Sequence, residues 1–189
     1  MDTRFNERRS QTRIRDALMA NEIINRVANS AIMTVDLEDF YPQGERVVLD
    51  ISQWLLEGIV LKEKEFRLQV KKHDWSKYKD CYVALGCSTN AIIPGWAYML
   101  ISLELTSIAK KTIVGSLDVL ESILFASVIE NMNVDPYIGK PVIIKGCSNK
   151  PIPENAFVLF SQKLQPIAKS IMYGEACSAV PLFKKKKVI

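Results

Sequence analysis

The chain has 189 residues, 48% hydrophobic and 24% charged, a balance that excludes wholesale disorder and supplies apolar material for one sizeable core. Its formal net charge is +4, too little, and too rarely interleaved with stacking aromatics, for a nucleic-acid partner. No stretch reaches the roughly 18 unbroken apolar residues of a membrane span; the longest candidate, Ala91 to Leu103, is broken by Pro94 and Gly95.

Residues 1–18, "MDTRFNERRSQTRIRDAL", set five Arg against Asp2, Glu7 and Asp16. They lack a sustained apolar face and read as a flexible Arg-rich arm, with residues 19–189 forming a single α/β domain. They also lack the apolar segment and small-residue cleavage site of a secretory signal, which predicts a cytoplasmic protein. The four Cys are then expected in a reducing environment, where metal or thiol chemistry outweighs disulfides.

Next come two short β-type runs, "AIMTVDL" and "RVVLDI", separated by "EDFYPQGE", whose Pro and Gly signal a turn. "SQWLLEG" reads as a short helix. "KEKEFRLQVKKH" reads as a longer amphipathic one, with Phe66 and Val70 four apart. From Cys81 the alternation is regular: strand "CYVALG", a helix over 94–110, strand "TIVG", a helix over 117–131, strand "PVIIKG", a helix over 153–165, strand "KSIMYG". Pro94 and Pro153 suit helix starts, and Ser116 suits an N-cap. Strands joined by single helices run parallel, so the expected fold is three-layer α/β with helices on both faces. A flavodoxin-like winding gives the four C-terminal strands the order 2-1-3-4, with "TIVG" outermost and the N-terminal β segment added to them. The helix after Pro94 is apolar nearly all round and is expected to be buried.

Parallel strands end on one edge, where open α/β folds place ligands. Cys87, Cys147 and Cys177 all follow strand ends in related contexts ("GCS", "GCS", "EACS"), whereas Cys81 begins a strand and reads as a packing residue. In the order 2-1-3-4 the three Cys-bearing strands are neighbours, and three thiolates with Glu175 suit zinc, iron or an iron-sulfur cluster. Asp36, Glu38 and Asp39 of "VDLEDFYP" are further acidic candidates. Ser88, Ser148 and Ser178, each next to a Cys, could donate to a thiolate or to a bound cofactor. Small Cys is equally a packing residue at a strand turn, and a reactive thiol is the third possibility. The single histidine, His73, falls at the opposite edge and suits a helix end better than a metal.

The segments "NEIINRVANS", "DLEDFYPQGERVVLDI", "HDWSKY", "IIPGWAYML", "IKGCSNKPIP" and "SIMYGEACSAVPLFKKK" resemble the bacterial domain of unknown function number 2480 over about Met19 to Lys187. The arm falls outside the resemblance, which makes Met19 the expected natural start. The family's "GCS" cysteine matches Cys147 and that of its "GEPCS" element matches Cys177, although Ala176 stands where the family has proline. A family cysteine is also expected at the position of Cys87. The resemblance implies no activity; it implies an association with iron-sulfur assembly proteins. Three functions follow from these readings: an accessory protein holding metal or a cluster through Cys87, Cys147 and Cys177; a thiol-dependent enzyme or sulfur carrier using Cys87 or Cys147; and an interaction module in which "GWAYM" and the basic tail serve assembly.

Overall fold

Short runs of β-branched and aliphatic residues become strands here, and the helices between them bury one stripe each. The computed structural model describes residues 32–146, 149–175 and 178–186; the Arg-rich arm and Met19 lie outside them. Met33–Ile189 forms one compact unit. Its described strands are β1 (Met33–Val35), β2 (Arg46–Asp50), β3 (Tyr82–Gly86), β4 (Lys111–Val114), β5 (Pro141–Ile144), β6 (Ser170–Tyr173) and β7 (Val180–Lys184). Its described α-helices are α1 (Glu63–Lys72), α2 (Gly95–Leu105), α3 (Leu117–Asn131) and α4 (Glu154–Leu164). "SQWLLEG" forms only a 3-10 turn over Ile51–Trp54.

The α/β class and the mainly parallel pairing are as expected, but the strands form two sheets, β2-β3-β4 and β1-β5-β6-β7. The order 2-1-3-4 holds at its two ends, where β3 pairs with β4 and β5 with β6, all parallel, and "TIVG" is an outer strand. Its central adjacency is corrected: β3 takes β2 as its other neighbour, and β5 takes β1. The N-terminal strands offer apolar parallel edges of their own. Leu49 of β2 joins the core of Val83 and Leu85, while Val35 of β1 joins that of Val142 and Ile144. β7, the one antiparallel partner, was not expected, because Pro181 and the following lysines weaken any strand signal in "VPLFKKK".

The three-stranded sheet is covered on both faces. One face packs Phe66 and Val70 of α1 and Ala97, Ile101 and Leu105 of α2; the other packs Leu120 and Leu124 of α3 against Ala84. Helix α3 also serves the second sheet, where Phe125 and Ile129 join Phe160 and Leu164 of α4. One helix therefore ties both sheets together. Helix α2 packs against the sheet as expected, but on one stripe only. Only every fourth residue faces the sheet, and Met99 and Leu103, half a turn away, are 67% and 71% exposed.

Candidate functional site

The carboxyl ends of β2, β3 and β4 frame a cleft of about 610 Å³. Val48, Leu85, Val114 and Leu117 give it apolar walls; Asp50, Cys87, Ser88, Thr89, Tyr98 and Ser116 bring polar atoms to it. A mostly apolar concavity with a few convergent polar groups, at this edge of a parallel sheet, is where such folds bind ligands. Two local devices build its far wall. Gly115 turns β4 into α3 at φ +141°, where any Cβ would also meet Val119 at 3.1 Å. Ser116 then caps α3, its hydroxyl accepting from the Val119 amide at 3.3 Å.

Asp50, the last residue of β2, locks the near wall. Its Oδ1 accepts from the amides of Ser52 and Ser88, both at 3.0 Å. Its Oδ2 accepts from the Ser52 hydroxyl at 2.7 Å and the Ser88 hydroxyl at 2.6 Å. The Ser88 hydroxyl is the main cause, with Ser52 and both amides outweighing burial, that holds this carboxyl down at about 2. Asp50 is thus ionised throughout the physiological range and is a clamp on the Cys87–Ser88 turn, not a proton acceptor. Replacing Asp50 with Ala removes four hydrogen bonds, the two from Ser88 within reach of water, and is expected to cost about 1–2 kcal/mol, read from urea midpoints. The sign with pH follows from a folded pKa lying below the unfolded one. The carboxylate's contribution is full above about pH 4 and is lost as pH falls through about 2. The gap between wild type and variant should therefore narrow in acid.

Cys87 follows β3 directly, half-buried in the cleft. Thr89 gives its hydroxyl proton to the Gly58 carbonyl at 2.5 Å, so the 3.3 Å contact between Thr89 Oγ1 and Cys87 Sγ is one that the thiol donates. Burial first, and the neighbouring Cys87 second, push the Tyr98 phenol up.

The other cysteine-bearing edge belongs to the second sheet. Cys147, Ser148 and Cys177 lie outside the described residues, but their flanks do not. Ile144 of β5 is in register with Tyr173 of β6, and the Gly174 amide donates to the Ile144 carbonyl at 3.0 Å. Glu175 is half-buried beyond it, and the Ser178 amide donates to the Glu175 carbonyl at 2.9 Å. Asp36 pairs with Lys145 at 2.7 Å. Burial opposes ionisation of Asp36, yet the Lys145 hydrogen bond and the Glu38 amide prevail and leave its carboxyl below the usual range. Glu38 accepts from the amides of Asn149 and Lys150, and Asp39 is exposed. Asp36 and Glu38 therefore tie loops together. Among the described residues, no group of three or more His, Cys, Asp and Glu is placed to hold a metal.

Cys81 is 4% exposed at the start of β3 with its thiol directed to the Lys79 carbonyl at 3.4 Å, a packing role as expected. His73 follows α1 at the amino edge, where its ring lies against Trp54, Trp75 and Tyr78. Trp75, not the imidazole, meets the helix carbonyl of Val70. Sequence reasoning missed Asp50, Thr89 and Tyr98. Asp50 had a usable signal, since Asp two residues before Ser at a strand end is an Asx-turn pattern.

The family described as "Protein of unknown function (DUF2480)" matches residues 21–185. No curated protein and no solved structure matches the chain. Among the described residues, no helix is long and apolar enough to cross a membrane.

Proposed function

The chain belongs to the DUF2480 family, whose description assigns no reaction, and from the site alone we propose that the β2-β3-β4 cleft binds a small molecule for thiol-dependent chemistry at Cys87. The observation that carries this reading is the seating of Cys87 in the cleft on a turn held by Asp50. A packing cysteine has no need of a fixed, solvent-reached position beside a cavity. Reaction with iodoacetamide tests it, followed by peptide mapping of the full chain. Cys87 is expected to be carboxamidomethylated at least tenfold faster than Cys81, whose thiol burial pushes up. Equal, slow labelling of the two would contradict the reading.

A second reading is favoured by the pairing of β5 with β6. Adjacent parallel strands lie about 4.8 Å apart, so the segments that carry Cys147 and Cys177 leave neighbouring points, with Glu175 nearby in sequence. Those three residues could hold zinc, iron or part of an iron-sulfur cluster, with iron-sulfur assembly proteins as the partner class. Cys87 follows a strand of the other sheet, which makes it the least suited of the three sulfurs to this site. Anaerobic purification and elemental analysis should give stoichiometric metal that Cys147→Ser and Cys177→Ser each remove and Cys87→Ser keeps. Loss of metal in all three variants would support the three-cysteine set instead, and metal-free wild type would end the reading.

A further inference from the structure

We propose that the ligand of the β2-β3-β4 cleft carries a protonated amine on an apolar body, with the amine seated on the Ser88 hydroxyl oxygen beside the Asp50 carboxylate. This deepens, and rests on, the assignment of the cleft as the ligand site.

The first argument is a proton count. A hydroxyl has one proton to give, and both Ser52 and Ser88 give theirs to Oδ2 of Asp50. The two Oγ atoms lie 3.0 Å apart with no proton left for that contact, so each presents only lone pairs. The carboxylate's own acceptor sites are filled by two amides and two hydroxyls, so the open acceptors are the hydroxyl lone pairs beside its negative charge, a face that accepts and cannot donate. A primary ammonium has the opposite inventory: three donors and no acceptor.

The second argument is charge. Among the described residues, Asp50 is the only charged side chain lining the cleft, and none of them that lines it is Lys, Arg or His. The amino end of α3 opposes it with about half a positive charge, less than the full carboxylate, and Asp118 in the first turn of α3 offsets that further. Among the described residues, a carboxylate or phosphate ligand would meet net repulsion and no cation. The third argument is exposed apolar surface. Val48 and Val114 line the cleft and are 51% and 53% exposed, apolar area that a hydrocarbon body would cover.

Methanethiosulfonates of three charges test the assignment on the full chain: 2-aminoethyl, methyl and 2-sulfonatoethyl. In each, the Cys87 sulfur attacks the sulfenyl sulfur, a mixed disulfide forms and methanesulfinate leaves. Rates at Cys87, from peptide mapping, are divided by the rates on 2-mercaptoethanol. The normalised aminoethyl rate should exceed the sulfonatoethyl rate about tenfold, as expected for one charge pair at short range in a partly screened site. Asp50→Asn should bring the ratio near one, and Ser88→Ala, which keeps the carboxylate, should lower it less. A wild-type ratio near one or inverted, with the methyl reagent still fast, overturns the amine assignment and leaves the cleft in place. Suppression of the preference by millimolar Mg²⁺ at constant ionic strength also overturns it, in favour of a metal cation. Failure of all three reagents at Cys87 overturns the cleft reading itself.

Discussion

Glu121→Ala is expected to lower the unfolding free energy by about 3–5 kcal/mol, because it strands a buried guanidinium. Glu121 sits on α3 with its carboxylate against Arg46 of β2, Nε to Oε1 at 2.6 Å and Nη2 to Oε2 at 3.3 Å. Both side chains are nearly buried, and the Tyr41 hydroxyl donates to the same Oε1 at 3.1 Å. The guanidinium lies 4.4 Å from the Tyr41 ring centroid and 5.0 Å from that of Tyr82. Removing the carboxylate leaves that cation desolvated between two rings with no counter-charge. Since α3 packs on both sheets, the loss should appear as one cooperative shift of the urea transition. The double variant Arg46→Met/Glu121→Leu should recover most of the loss, since apolar side chains of similar volume carry no desolvation cost. A single-variant loss below about 1 kcal/mol would show the pair to be solvated.

Phe66→Ala is the second large effect, expected at about 3–5 kcal/mol. Phe66 is fully buried under α1, with the rings of Trp54 and Trp96 edge-on at 5.8 and 5.7 Å. Alanine leaves a void that these indoles cannot close without leaving their own contacts. Leu68, two residues on, is 49% exposed, and Leu68→Ala should cost less than about 0.5 kcal/mol. The pair, compared by urea denaturation, separates burial from helix propensity, since both changes put alanine into the same helix.

How much of this was legible beforehand depended on whether the determinant was local. The strand-helix alternation from Cys81 is written in apolar period and in the Pro94, Ser116 and Pro153 start signals, and it gave the class, the parallel pairing and the outer position of "TIVG". Partner choice is not local. β1 and β2 compete for the same edges as β3 and β5, and nothing in "VALG" says that its neighbour is "RVVLD" and not "PVII". The grouping of Cys87 with Cys147 and Cys177 rested on that adjacency, and Cys147 and Cys177 lie outside the described residues. Cys87 was picked out correctly as a residue at the carboxyl edge. Its actual surroundings, Asp50, Ser52, Thr89 and Tyr98, come from segments between 2 and 37 residues away in sequence, and only the Asx pattern at Asp50 hinted at them.

The central claim is that small molecules bind at the β2-β3-β4 edge. Amide spectra of the full ¹⁵N-labelled chain, recorded against a library of cationic, neutral and anionic fragments, test it most directly. The account predicts that the binding fragments shift Asp50, Ser52, Ser88, Thr89, Gly115 and Leu117 together, and that Asp50→Asn weakens them. Fragments that bind only near Gly146 and Gly174, leaving the Ser88 amide unmoved, would contradict it.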